Sequence, residues 1–131
     1  MKEILFRGKD FSGKWHYGFY WASLDPFSVD TKWRGHFIHN GANIARPDEI
    51  DPNTLGQYTG LRDRDGANIF EGDILSDGVY DNIVVRWSDR FASFELFRTG
   101  WLHTHYFGES GDPEAFVIVG NIFDNPDIIR Q

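Results

Sequence analysis

A chain of 131 residues suggests one domain or two very small ones, and is long enough to bury a core without covalent staples. Its formal charge of −7, with a pI near 5.0, opposes wholesale binding to a polyanion and favours solubility and a basic partner. The absence of cysteine excludes disulfides, cysteine-based zinc sites and thiol catalysis, and fits a cytoplasmic protein.

The opening MKEILFRGKD lacks the apolar core of a secretory signal, and no stretch of the chain reaches the roughly 18 apolar residues of a membrane span. Residues 3–7 alternate weakly, as a short strand would, and 9–14 form a turn. WHYGFYW, Trp15 to Trp21, is a dense aromatic strand. It sets Trp15, Tyr17, Phe19 and Trp21 on one face and His16, Gly18 and Tyr20 on the other, and it pairs back as a hairpin. Residues 22–35 form an irregular excursion, His36 to His39 a short strand, and 40–54 a loop. Within that loop Asp51-Pro52-Asn53-Thr54 opens a turn or a brief helical segment.

From Gln57 the pattern sharpens. Residues 57–61 are a strand, 62–66 a turn, 68–71 the return strand, and Gly72-Asp73 a corner into Ile74-Leu75. After a polar loop at 76–81, residues 83–87 form a β-branched strand, 91–97 an alternating one, and 101–107 a further candidate. Residues 116–119 look like a buried strand that 122–123 extends. Asn125-Pro126 then caps a last helical turn. Aromatic residues make up 17% of the chain, and with 14 glycines they favour strands and tight turns over helices. The expected fold is all-β: an N-terminal aromatic hairpin region over 1–54 and a small barrel over 55–131, together one compact domain.

The charged stretch QYTGLRDRDGANIFEGDIL invites a metal or phosphate reading, and both fail by position. With Gly66 at the glycine of a calcium-binding EF-hand loop, Leu61 and Gly72 fall where carboxylates are required. As a hairpin it succeeds: Asp63 accepts backbone donors in the turn, Gly66 takes positive φ, and Gly72-Asp73 bends the chain. His103 and His105 flank Thr104, so on a strand they share a face about 7 Å apart and are weak zinc candidates. A third ligand would have to come from His16, His36, His39, Glu109 or Asp112, and no ligand spacing brings one there. A solvated strand face is the stronger reading. No nucleophilic serine motif and no locatable carboxylate pair points to catalysis, so no catalytic or cofactor-binding residue is assigned. Arg62, Arg64, Arg86, Arg90 and Arg98 sit among acids, which disfavours a single-stranded nucleic-acid groove without removing it as an alternative. A metal-dependent hydrolase is the weakest alternative.

Several motifs in one order carry a family resemblance. They are Ile4-Leu5-Phe6-Arg7, the block from Asp51 through Gln57, Tyr58, Thr59, Gly60 and Leu61, then Asp63-Arg64-Asp65-Gly66, then Ile69-Phe70-Glu71-Gly72-Asp73-Ile74, and finally Val119-Gly120-Asn121-Ile122-Phe123-Asp124-Asn125-Pro126. The chain resembles the YopX protein family, small proteins of bacteriophages and prophages. Gly8 departs from the family's pattern, where a small residue followed by an aromatic is expected, and this touches only the first strand. The resemblance implies a β fold with an SH3-like barrel in the C-terminal part, oligomeric assembly, and the cytoplasm of a bacterial host. It brings no catalytic residue or activity. With the high aromatic content and the strand edges expected of short-stranded barrels, the expected function is a non-catalytic module that binds itself or a phage or host protein.

Overall fold

The computed structural model describes residues 3–23, 35–42, 46–107 and 112–130. Among these the chain is mainly antiparallel β, with short 3-10 turns and no α-helix. No helix of the described residues is long and apolar enough to cross a membrane. The chain divides into two compact units, Met1–Gln57 and Tyr58–Gln131.

The first unit is a meander of β1 (Phe6–Lys9), β2 (Trp15–Ser23), β3 (Gly35–His39) and β4 (Asp48–Ile50), each strand antiparallel to the last. On the other side of β1 lie the first residues of β5 (Gly56–Arg62), with Phe6 opposite Gln57 and Arg7 opposite Gly56. The β1–β2 hairpin is set by Asp10. Its Oδ1 accepts from the Ser12 N–H, the Ser12 hydroxyl and the Lys14 N–H, all within 2.9 Å. Ile38 and Ile50 are almost fully buried and Phe37 nearly so. Ile50 also explains why position 8 is glycine, since a Cβ there would stand 2.6 Å from Ile50 Cδ1.

Three expectations for this region change, and that of a turn or brief helical segment at 51–54 holds. The first strand begins at Phe6 rather than Glu3, because that is where pairing with β2 starts. Residues 48–50, expected in a loop, form β4: their pairing with β3 buries Ile50 and supplies the stabilisation that Pro47 and two acids do not advertise. Pro52–Thr54 is a 3-10 turn whose cap is the Asp51 carboxylate, accepting from the Asn53 N–H at 3.0 Å. Of the excursion at 22–35, Ala22, Ser23 and Gly35 belong to strands, and residues 24–34 lie outside the described residues.

In the second unit the rest of β5 pairs with β6 (Asn68–Phe70), Tyr58 opposite Phe70 and Arg62 opposite Asn68. A four-stranded sheet follows in the order β10 (Val117–Asn121), β7 (Asp73–Ser76), β8 (Ile83–Ser88), β9 (Ser93–Phe97). One core holds Ile69, Leu75, Ile83, Val85, Leu96 and Phe116, with Leu61, Phe94, Trp101, Phe107 and Ile118 packed against it. The described strand pairs do not close into a ring. The outer edge of β10 instead meets the β5–β6 turn, where the Arg64 N–H donates to Phe116 O at 2.9 Å.

The candidate strand at 101–107 is not one. The chain turns after β9, with the Trp101 N–H donating to Arg98 O and Gly100 at φ +95°, and it returns to the β9 edge for a single bridge between His105 and Leu96. Phe91 and Ala92 belong to the turn before β9, and residues 122–124 to a turn after β10. The C-terminal turn is 3-10, Ile128–Arg130, with the Ile128 N–H donating to Asn125 O at 3.1 Å.

Candidate functional site

Strand β2 alternates, and the alternation sends rings to solvent. Tyr17, Phe19 and Trp21 lie on one face and are 49%, 57% and 38% exposed. Gly18 and Tyr20 point the other way, Gly18 buried and Tyr20 half-buried. The register of β2 on β3 places Phe37 opposite Trp21 and His39 opposite Phe19. Those cross-strand pairs are ring contacts: Trp21 stacks on Phe37 with centroids 4.8 Å apart, and Phe19 meets His39 at 5.4 Å. The result is a strip of rings on one face, of which Tyr17, Phe19 and Trp21 are open to solvent. Phe11, in the adjacent β1–β2 turn, is also exposed.

The opposite face of the same strands is tied down. The Tyr20 hydroxyl is hydrogen-bonded to His36 Nδ1, and the two rings stack. Burial pushes the Tyr20 phenol above its ordinary pKa. His16 stands between two carboxylates, Nε2 2.7 Å from Asp10 Oδ2 and Nδ1 3.1 Å from Asp48 Oδ2. Bonds from His16, the Ser12 hydroxyl and the Lys14 N–H hold the Asp10 carboxyl well below the usual carboxylate range. Neither arrangement is visible in the sequence, since Asp48 acquires its place only when β4 pairs.

The family motif residues form joints of the fold. Tyr58 is buried against Phe70, and Gln57 lies opposite Phe6. Thr59 Oγ1 donates to Ile69 O and accepts from the Leu61 N–H, with Gly60 at φ +86° in an irregularity of the β5–β6 pairing. Asp63, only 4% exposed, accepts three backbone N–H donors: Asp65 and Ala67 at 2.9 Å within the turn, and Ile118 of β10 at 3.0 Å. Gly66 closes that turn at φ +82°, its N–H donating to Asp63 O. Glu71 is half-buried beside it in sequence to Gly72, whose N–H donates to Val85 O and whose carbonyl accepts from the Ile122 N–H. Asp73, 1% exposed, accepts from the Phe70 N–H at 2.7 Å.

The end of β10 has a joint of its own. Asn121 Oδ1 accepts from the Phe123 and Asp124 N–H groups, and Asn125 Oδ1 accepts from the Asn121 N–H, just before Pro126. A Cβ on Gly120 would stand 2.5 Å from Asn125 Oδ1. Gly120→Ala is therefore expected to swing the Asn125 side chain away and cost about 1 kcal/mol, the worth of one hydrogen bond. A urea midpoint unchanged from wild type would contradict this.

His103 and His105 are not brought together as ligands. The shared strand face disappears with the strand: His103 is exposed in a bend, while His105 bridges to Leu96 and packs its ring 4.4 Å from Trp101. His16, His36 and His39 have the partners given above, and Glu109 lies outside the described residues. Among the described residues no three His, Asp or Glu side chains gather as a metal site. The arginines are dispersed as well. Arg62 and Arg64 share a shallow cleft with Asp63, Asp112 and Glu114, Arg86 pairs with Glu95, and Arg90 lies over Phe91. The family model of the YopX protein matches residues 6–130, nearly the whole chain. No curated protein matches it.

Proposed function

We propose that this chain, which belongs to the YopX protein family, is a phage or prophage accessory protein of the bacterial cytoplasm that works by binding protein rather than by catalysis. Its binding surface is the aromatic strip of β2 and β3, and its partner is a second copy of itself or a phage or host protein. The second unit, read as an SH3-like barrel without full closure, serves in this reading as the second half of the module.

One observation carries the proposal: three successive same-face rings, Tyr17, Phe19 and Trp21, are exposed on a strand whose inward face is packed. Scattered exposed apolar side chains need no explanation, but a contiguous aromatic strip has a cost in water that association removes. Tyr and Trp also dominate the energetics of protein interfaces, because they bury large area with few rotors to freeze. The strip is ordered before binding by Phe37 and His39, so little further entropy is lost on docking.

Light scattering across a concentration series, joined to a pull-down from infected cells, tests this. Wild type is expected to self-associate or to retain a partner, and Phe19→Ser is expected to weaken either at least about tenfold, since an interface aromatic is worth about 2 kcal/mol. A strict monomer with an empty pull-down would sink the proposal.

A further inference from the structure

The outer face of the second unit's sheet holds a groove of about 240 Å³. Its apolar surface comes from Val84 on β8, Phe97 directly opposite on β9, Ile122 in the turn after β10, and Ile129 in the C-terminal turn. Arg86, Arg98, Asn82 and Thr99 complete the lining. Both arginines are held in place, but they differ in charge balance. Arg86 is hydrogen-bonded through Nε to Glu95 and lies 3.9 Å over the Phe97 ring, so its charge is compensated. Arg98 donates its Nε to Asp81 O at 2.7 Å and lies 5.7 Å from the Tyr80 ring. No carboxylate of the described residues forms an ion pair with it.

We propose that this groove is a binding site for a small apolar group bearing one carboxylate, which Arg98 pairs. On a chain of net charge −7, a guanidinium anchored by its Nε to a neutral carbonyl keeps its charge and its two terminal amino groups for an incoming anion. A planar guanidinium matches a carboxylate with two parallel N–H donors. One cation with no carboxylate partner among the described residues favours a monoanion over a phosphate dianion, and Glu95 strengthens that preference by repelling extra negative charge. The volume lies below the roughly 300–1,000 Å³ of sites for drug-sized ligands, so it suits one side chain or one ring. The chain-terminal residue of a peptide and a free arylalkyl acid share this chemistry.

The test is a nitrogen-15 NMR titration of the full chain with 3-phenylpropionate, 3-phenylpropionamide, N-acetylphenylalanine, inorganic phosphate and a thymidine oligonucleotide. 3-Phenylpropionate is expected to shift Val84, Phe97, Ile122 and the Arg98 Nε–H saturably, and the neutral amide to bind about tenfold more weakly, as loss of a charged hydrogen bond requires. Arg98→Gln should remove that difference, and Glu95→Gln should tighten the acid while leaving the amide unchanged. Either variant's fold is checked by its unshifted core amides, and the Glu95→Gln arm keeps the proposal open to refutation if Arg98→Gln does not fold. Tighter binding of N-acetylphenylalanine than of 3-phenylpropionate identifies a peptide end, and the reverse a free acid. Equal affinity for acid and amide, shifts elsewhere on the chain, or stronger binding of phosphate or the oligonucleotide at these residues would overturn it.

Discussion

Gly18→Ala is expected to separate β2 from β3 and cost about 3 kcal/mol or more, the largest effect of any glycine substitution in the first unit. A Cβ at position 18 would stand 2.1 Å from His39 O, 2.8 Å from His39 C and 3.2 Å from Asn40 Cα. All three atoms are backbone, so no rotamer change relieves the overlap and the strands must part. The φ of +154° adds strain for any side chain. Gly8→Ala provides the contrast. Its contacts, Ile50 Cδ1 at 2.6 Å and Ile50 Cβ at 3.2 Å, are side-chain rather than main-chain atoms, and a smaller cost of about 1–2 kcal/mol is expected. Hydrogen exchange should show the amides of β2 and β3 losing protection in Gly18→Ala while those of β7 and β8 keep theirs. Because Phe19 pairs with His39 next to the overlap, the same variant should also lose association through the aromatic strip. Full protection of β2 and β3 amides in Gly18→Ala would refute the steric account.

Legibility in the sequence followed the strength of local signals. Residues 83–87 stand out as a strand by their β-branched side chains and 15–21 by their period of two. The turn at 62–66 is equally plain, because Asp63 and Gly66 are the residue types its geometry demands. What escaped depends on partners distant in the chain. The strand state of β4 comes from β3, and the strand candidate at 101–107 pairs, among the described residues, through one bridge only. The aromatic strip was half legible: the period placed Tyr17, Phe19 and Trp21 on one face, but only the fold shows that this face is the open one. The groove beside Arg98 gathers residues from 84 to 129, and no spacing along the chain announces it.

Replacing Asp63 by Ala is expected to destabilise the second unit by about 4 kcal/mol, since three N–H groups lose a charged acceptor at a buried site. Asp63→Asn dissects the effect. Its amide oxygen can keep the Asp65 and Ala67 donors, but its NH₂ then faces the Ile118 N–H, donor against donor. The turn survives and the tie to β10, 55 residues away in sequence, is lost at about 2 kcal/mol. The pH dependence follows from the same contacts. Burial pushes the Asp63 carboxyl up, but the Ile118, Ala67 and Asp65 N–H donors and the Arg64 charge outweigh it and hold the group below its ordinary range. A carboxyl with a depressed folded pKa contributes stability that is complete above its unfolded value, about 3.9, and is lost as pH falls through the folded one. Wild type should therefore weaken below about pH 4 relative to Asp63→Asn, whose side chain does not titrate there. Asp10, also depressed, titrates in the same acid range, but it is present in both proteins and drops out of the difference. Urea midpoints of the two proteins between pH 7 and pH 2.5 should converge as the pH falls. Midpoints that stay parallel, or an Ile118 amide equally protected in both, would show that Asp63 does not tie the hairpin turn to β10.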